Sequence, residues 1–450
     1  MLIKRKFLRY FVFIFIVSFF AGCAQKKAAE PETAQAELPQ SVVDLQNVDQ
    51  NVSAYVDTIN ERYIGSLESY EKHYFLPWNI DKIDISLHEA MWAYRAFRSA
   101  NSYGENLQPL KASFFKDIYE RSNFKDFSTL NKPAITLKRI DIRAFPTDKP
   151  LLMDPNEAGE GFPFDYMQNS TIAPNKPILV SHFSRDREWA FIEASFAYGW
   201  VKSRDIAFIP LQYAKLYQKA QKEFVMKESE PIYDAKGNFL FRSRIGMMLP
   251  EIDEKDDSFT ILTIGNYKEN EAYYIESNIS KEILHKDVLK FNKENIAKIL
   301  NEVMHVEYGW GGMYGQRDCS SMLRDFYAPF GLWLPRNSYE QGKVGKVVSF
   351  DGLHDEEKVA LIKEEGIPFE TLLYKKGHIM LYVGVKNDKV IIFQNTWGIK
   401  TKKDGEEGRF IIGKPIFSTL ELGKELPDYD ENASILRQLK SMNILTQSNN

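Results

Sequence analysis

From residue 133 to about 275, apolar side chains recur at every second position in short runs broken by polar turns. That spacing buries its apolar side only as β-sheet, because successive side chains of a strand point to opposite faces. ITLKRIDIRAFP alternates and stops at Pro146; PILVSHF, EWAFIEAS and GWVKSRDIAFI follow. A second series spans roughly 207–275. It contains PIYDAKGNFLFRSRIGMMLP, with a hairpin signal at Lys236-Gly237-Asn238, then FTILTI and EAYYIES. Two neighbouring stretches of short strands predict two small barrels.

The flanks have a different period. In NVSAYVDTINERYIGSLESYEKHYF, Val52, Tyr55, Val56, Ile59 and Tyr63 stand at helical intervals. FLPW (Phe75 to Trp78) breaks that helix. SLHEAMWAYRAFRSA then offers Ser86 as an N-cap, with Ala90, Met91, Tyr94 and Phe97 on one side. Downstream, residues 286–305 read as an amphipathic helix, and SSMLRDFYAPFG as a short helix stopped by Pro329 and Gly331. GHIMLYVGV, KVIIFQNTWG and GRFIIG are strands. Helix followed by sheet makes the C-terminal part an α+β domain. A chain of 450 residues is too long for one core. The expected division is a signal segment at 1–22, a tether at 23–44, a helical domain at 45–130, barrels at 131–206 and 207–284, an α+β domain at 285–427, and a polar, fraying tail at 428–450.

The N-terminus carries a localisation signal. Lys4, Arg5, Lys6 and Arg9 precede FVFIFIVSFFAG and then Cys23. A basic start, a short apolar run and small residues at the cut define a secretory signal, and the run is too short to favour a stable span. FAGC resembles a bacterial lipobox, in which the cysteine is lipidated and becomes the first residue; Phe20 stands where Leu is common. The alternatives are a simple cleaved signal or an uncleaved anchor. Residues 24–44, rich in Ala, Glu, Gln and Pro, read as a flexible tether.

Composition excludes several classes. Apolar content of 44% and charged content of 27% are those of globular protein, which argues against disorder over most of the chain. A net charge of −4, with no basic face or zinc-finger spacing, makes nucleic acid a poor partner. HExxH, CxxC and phosphate-loop patterns are absent from the sequence, so no metal and no cofactor are expected.

The chain has two cysteines. With Cys23 lipidated, Cys319 has no intramolecular disulfide partner, and an unpaired thiol in an oxidising compartment is a liability unless it works. It stands in YGWGGMYGQRDCSSMLRDFYAPFG, after a glycine-rich turn and at the start of a predicted helix. A helix N-terminus favours an anion, and its free N–H groups can form part of an oxyanion hole. The base would be His378, which opens the apolar strand GHIMLYVGV. Gln394 or Asn395, on the next strand, would orient the imidazole.

YGWGGMYGQRDCSS, LPRNS, GHIMLYVG and FQNTWG together resemble the NlpC/P60 family of papain-like cysteine peptidases. More narrowly, they look like γ-D-glutamyl-L-diamino acid endopeptidases with two SH3b domains before the catalytic domain. FPFDYMQNS and SHFSRDREWAFIEASFAYGWV look like that subgroup's first SH3b domain, and PIYDAKGN with GMMLP like its second. The resemblance implies Cys319 as nucleophile, His378 as base and Gln394 in the third position, where the family most often has His. It implies Tyr308 near the oxyanion site, and Asp318 and Ser320 holding the amine and backbone of L-Ala-γ-D-Glu. Arg336 becomes a candidate for the D-Glu carboxylate, with Trp310 and Tyr198 walling the pocket. PFETLLYKKGH departs from the Gly-Asp-Leu that many relatives carry before the histidine. The implied protein is a monomeric, periplasm-facing lipoprotein, in the outer membrane of a Gram-negative bacterium, that hydrolyses peptidoglycan stem peptides. The alternatives are an SH3b binding protein with a weak or inactive site, and an amidase or acyltransferase on the same fold.

Overall fold

The computed structural model describes residues 42–97, 101–266 and 271–448. The expected signal at 1–22, Cys23 and the tether up to residue 41 lie outside the described residues. Among the described residues no helix is long and apolar enough to cross a membrane. Two stretches expected to be loose are ordered. Val42 is buried and Val43–Asn47 is a short helix, with Asp44 accepting hydrogen bonds from the amide and hydroxyl of Thr419 at 2.8 Å each. The end of the expected tether is therefore docked.

Val52, Tyr55 and Val56 do not form the predicted long helix. They make a single tight turn (Val52–Ala54) whose apolar side chains are pinned against the C-terminal domain, Tyr55 stacking on Phe417 with ring centres 4.7 Å apart. Tertiary burial overrides local periodicity there. Helix α1 (Leu67–Tyr74) starts later, on the Ser66 cap, and ends at the FLPW break. The Ser86 cap forms as expected: its hydroxyl accepts from the Glu89 amide while Glu89 reaches back, a reciprocal capping box. Helix α2 (Ala112–Ser122) completes this region.

The first sheet comprises β1 (Lys132–Thr136), β2 (Ile140–Arg143), β3 (Gln168–Ile172), β4 (Pro177–Phe183), β5 (Trp189–Ala194), β6 (Tyr198–Lys202) and β7 (Ile206–Phe208), in the order β3-β2-β6-β5-β4-β1-β7. All six residues of β5 are buried, because alternate residues serve two cores. Ala190, Ile192 and Ala194 face the barrel interior, while Trp189 and Phe191 pack under the N-terminal helices with Ile83, Ala90 and Phe124. Residues 207 and 208 belong to β7, paired with β1, so the boundary expected at 207 falls inside a strand.

Helix α3 (Leu211–Lys219), which the sequence reading missed, leads to the second sheet. This contains β8 (Gln221–Val225), β11 (Met248–Glu254), β12 (Ser258–Asn266), β13 (Ala272–Ser280) and β14 (Leu284–Lys286), in the order β13-β12-β11-β8-β14. The Lys236-Gly237-Asn238 turn joins β9 (Pro231–Tyr233) to β10 (Phe239–Arg242), held by the Asp234 side chain accepting from the amides of Lys236 and Asn238.

In the C-terminal domain, helix α4 (Lys293–Met304) begins at the Asn292 cap, seven residues later than predicted, because Leu284–Lys286 is still strand. Helix α5 (Cys319–Tyr327) packs on a six-stranded sheet. Its strands are β15 (Lys346–Ser349), β16 (Thr371–Lys375), β17 (His378–Lys386), β18 (Lys389–Lys403), β19 (Glu406–Thr419) and β20 (Leu439–Ile444), with helix α6 (Asp355–Glu365) crossing between β15 and β16. The strand order is β15-β20-β16-β17-β18-β19.

The tail expected to fray is thus an interior strand. β20 pairs with β15 and β16 at once, and its Asn443 donates to the carbonyls of Gln341 (3.0 Å) and Val344 (2.7 Å). Its apolar residues, Leu439, Met442 and Ile444, are too few and too unevenly spaced to stand out from the polar segments on either side. Met442 is fully buried in the core shared by β16, β17 and α6. Met442→Ala is expected to destabilise the protein by about 2–5 kcal/mol in a urea or thermal melt, the range for emptying a packed core position. A loss under about 0.5 kcal/mol, as for a surface change, would show the strand unpacked.

Candidate active site

Cys319 is the first residue of α5, and Asp318 is its N-cap: the carboxylate accepts from the Ser321 amide at 2.8 Å while the Ser321 hydroxyl accepts from the Asp318 amide at 3.0 Å. The first-turn N–H groups of a helix have no intrahelical partner, so the Cys319 amide is free for a substrate oxygen. The thiol is only 7% exposed. Cys319 packs in one core with Ile379 and Leu381 of β17, the strand that His378 opens.

The imidazole is fixed from behind. His378 Nε2 lies 2.8 Å from Gln394 Oε1. The Gln394 amide nitrogen donates to Ser418 Oγ at 2.8 Å, and that hydroxyl donates onward to the Thr419 carbonyl at 3.1 Å. This chain fixes the amide with its oxygen toward the ring. Nε2 therefore carries the proton and Nδ1 is left bare as an acceptor. Asn395 instead donates to the Arg317 carbonyl at 2.8 Å. Of the two candidates for the third position, the structure places Gln394 behind the histidine.

Neither reacting group is charged at rest. Burial, with the negative charge of Asp318 adding to it, pushes the Cys319 thiol up to about 12. Burial also pushes His378 down to about 4, against the upward pull of the Gln394 hydrogen bond. The expected thiolate at a positive helix end is not what the fold builds, because the sulfur is buried and the cap beside it is a carboxylate. The two groups are a neutral thiol and a neutral imidazole.

Asp318 is in turn neutralised. Arg336 forks onto both its oxygens, Nη2 at 2.6 Å and Nη1 at 3.2 Å, and also donates to Ser320 Oγ at 3.0 Å and, through Nε, to Ser170 Oγ of β3 at 2.6 Å. Four of its five N–H groups are used within the protein. Arg336, expected to grip a substrate carboxylate with its fork, turns that fork on Asp318, since a buried carboxylate requires a paired charge.

The cysteine opens into a cleft of about 670 Å³ built from three parts of the chain. Trp92 and Phe97 come from the helical region, Tyr166, Asn169 and Tyr198 from the first barrel, and Tyr308, Trp310, Asp318, Ser320, Trp333 and Arg336 from the C-terminal domain. Every residue singled out in the sequence as a substrate contact lines this cleft. Tyr308 has no hydrogen bond to its hydroxyl among the described residues. Trp92, Phe97, Asn169 and Trp333 were missed, and no spacing signal marks them, since they converge from separate segments.

The glycine-rich turn is tight as expected, with Gly311 and Gly312 at positive φ, and its glycines serve a second purpose. A Cβ on Gly311 would lie 2.6 Å from the Gln168 side chain, and one on Gly312 would lie 2.6 Å from Thr171 Oγ1. Those two side chains of β3 donate to the carbonyls of Gly311 (3.2 Å) and Gly312 (2.9 Å), and Trp310 Nε1 donates to the Asp165 carbonyl at 2.9 Å. The glycines let the first barrel close against the loop before the cysteine.

Family models match the chain at four places. Residues 12–127 match the NLPC_P60 stabilising domain, N term; 150–202 an SH3 domain of SH3b1 type; 217–255 an SH3 domain of SH3b2 type; and 305–406 the NlpC/P60 family. The chain is an NlpC/P60-family protein with two SH3b domains. Members of that family are generally cysteine peptidases. A solved NlpC/P60 endopeptidase from Photobacterium damselae subsp. piscicida aligns with a TM-score of 0.78 at 23% identity, covering 89% of this chain and 98% of that one, so the fold is shared throughout. An NlpC/P60 family protein from Bacillus cereus aligns with a TM-score of 0.42 at 14% identity, over 62% of this chain and 82% of its own. No curated protein matches the sequence.

Burial holds the thiol protonated and the charge of Asp318 adds to it, so Asp318→Asn is expected to move the pH profile of Cys319 alkylation toward lower pH and to raise the rate at pH 8. An unmoved profile would show that the cap charge does not reach the sulfur.

Proposed function

We propose that this NlpC/P60 protein is a cysteine peptidase of cell-wall stem peptides that cleaves the bond between the γ-carboxyl of D-Glu and a diamino acid. The observation that carries the reading is Cys319 at the head of a helix and at the floor of a cleft, packed in one core with β17, whose His378 is held by Gln394. Thiol, base and orienting group stand in the order that acyl transfer needs.

Cys319 Sγ attacks the γ-carbonyl carbon as its proton passes to His378 Nδ1. The Cys319 amide, with the Tyr308 hydroxyl, takes up the negative charge on the carbonyl oxygen. Collapse breaks the C–N bond, the imidazolium returns its proton to the leaving amine, and a thioester remains. His378 then deprotonates water, which displaces the sulfur and releases the D-Glu carboxylate and the free thiol. Gln394 is neutral, so it orients the ring without stabilising imidazolium as a carboxylate would. Asp318, already paired with Arg336, retains an acceptor face toward the cleft for the amine of an N-terminal L-Ala, and the wall from the first SH3b domain limits the length of peptide on that side. The basic, apolar N-terminus ending in Cys23 supports a lipid anchor and a periplasmic location.

Mass spectrometry of muropeptides digested by the wild type is expected to show L-Ala-D-Glu and a fragment beginning with the diamino acid, and Cys319→Ala to release neither. Fragments cut at another bond would identify an amidase, and intact muropeptides with both proteins would leave a binding module. His378 must be neutral to act. Its depressed pKa is therefore expected to keep kcat/KM constant down to about pH 5, with the acid limb near pH 4 instead of near the usual histidine value of about 6.5.

A further inference from the structure

A small cavity of about 40 Å³ lies where α1, both SH3b domains and α5 meet. Phe196 and Trp333 line both it and the main cleft, so it adjoins the cleft across two aromatic side chains. A water needs about 10–15 Å³ of such space, so the cavity takes a monatomic ion or a few waters and excludes a peptide or a sugar. It is therefore no substrate subsite.

Its charges do not balance. Lys176 of the first SH3b domain, Arg244 of the second and Arg324 of α5 line it, and Asp325 is the one carboxylate among the lining residues. Both oxygens of Asp325 are taken: Oδ1 accepts from Arg324 Nη2 at 3.0 Å, and Oδ2 from Arg317 Nε at 2.9 Å and Arg244 Nε at 3.2 Å. Among the described residues, the only other carboxylate paired with any of these cations is Glu228, on Arg317. Four cations thus share two carboxylates.

The excess stands at the cavity. Arg324 Nη1 is buried with no acceptor in the protein. Among the described residues, Lys176 Nζ has neither a hydrogen bond nor a carboxylate; it lies 3.5 Å from the centre of the Tyr74 ring, whose face attracts the charge without neutralising it. Both cations also stand over the Phe196 ring, the Arg324 guanidinium carbon at 3.8 Å and Lys176 Nζ at 5.8 Å from its centre. Tyr70 of α1 lines the same cavity, and its hydroxyl has no acceptor among the described residues. Burial and the charge of Arg324 hold Lys176 well below the usual lysine range, with Asp325 pulling the other way. Unpaired cations and unmet donors are costly inside a protein, and an anion in the cavity answers all three.

We infer that this cavity binds a chloride ion, held by the Lys176 ammonium, Arg324 Nη1 and the Tyr70 hydroxyl. The ion reduces the excess positive charge and fastens α1, both barrels and α5 at their junction. It is a stabilising ligand and takes no part in the chemistry at Cys319, so the inference does not depend on which bond is cleaved.

The test uses the full chain, melted in sodium chloride or sodium gluconate at matched ionic strength, gluconate being too large for the cavity. Wild type is expected to gain about 1–3 °C in Tm from chloride, with a saturable dependence on its concentration, and bromide to act alike. Lys176→Met keeps the apolar stem and removes the charge, and is expected to abolish that gain. Wild-type crystals soaked in bromide are expected to show an anomalous peak within hydrogen-bond reach of Lys176 Nζ and Arg324 Nη1. This arm needs no variant and decides the matter even where Lys176→Met does not fold. A wild-type Tm that responds alike to both salts would overturn the inference, as would a chloride gain that survives in Lys176→Met. So would a bromide peak without a Tm response, which marks binding at crystal concentration only, or no peak at all, which leaves water as the occupant.

Discussion

The buried ion pair between Asp318 and Arg336 is the constraint on which the site depends. Asp318 must cap α5 because the helix starts in a partly closed interior, where its free amides need an acceptor. A carboxylate buried there needs a cation, and Arg336 supplies it with both arms. The same guanidinium reaches Ser170 of β3 and so ties the first SH3b domain to the head of the catalytic helix. One pair thus sets the helix start, the position of the loop carrying Arg336 and the placement of the cleft's opposite wall. Burial keeps the proton on the Cys319 sulfur; the Asp318 carboxylate adds to it and the Arg336 guanidinium partly offsets it.

A similar economy operates behind α5. Arg317, fully buried, pairs with Asp325 of the same helix at 2.9 Å and with Glu228 of the second SH3b domain, while Arg244 of that domain donates to Asp325 at 3.2 Å. Four alternating charges clamp the second barrel to the helix face turned away from the cleft. Among the described residues, none of this barrel lines the main cleft. Its part there is to hold the helix, and the first barrel's is to shape the cleft.

The legibility of the sequence followed the range of the interactions. Ser86 capping its short helix, the Asp234-held turn at Lys236-Gly237-Asn238 and the alternation of β4, β5 and β17 are local, and each formed as read. Val52, Tyr55 and Val56 misled, because their helical spacing is used by a single turn clamped on Phe417. β20 misled in the opposite sense: six residues amid polar neighbours show no strong pattern until β15 and β16 receive them. That strand bears on the site through Asn443 and Gln341, whose side-chain amide donates to the carbonyls of Ser320 and Pro335 at 2.8 Å each.

From the sequence alone came the candidates for the reacting groups: a cysteine in an improbable polar setting, a histidine opening an apolar strand, and two amides on the next strand. Those follow from residue chemistry and from the period of each segment, both of which are written locally. The fold decided which amide stands behind the histidine, that the arginine serves the aspartate, and that both reacting groups rest neutral. It also drew the tail into the sheet and gathered aromatic side chains from three regions around the cysteine. These are consequences of burial, and burial depends on which distant segments meet, so no short-range pattern could have declared them.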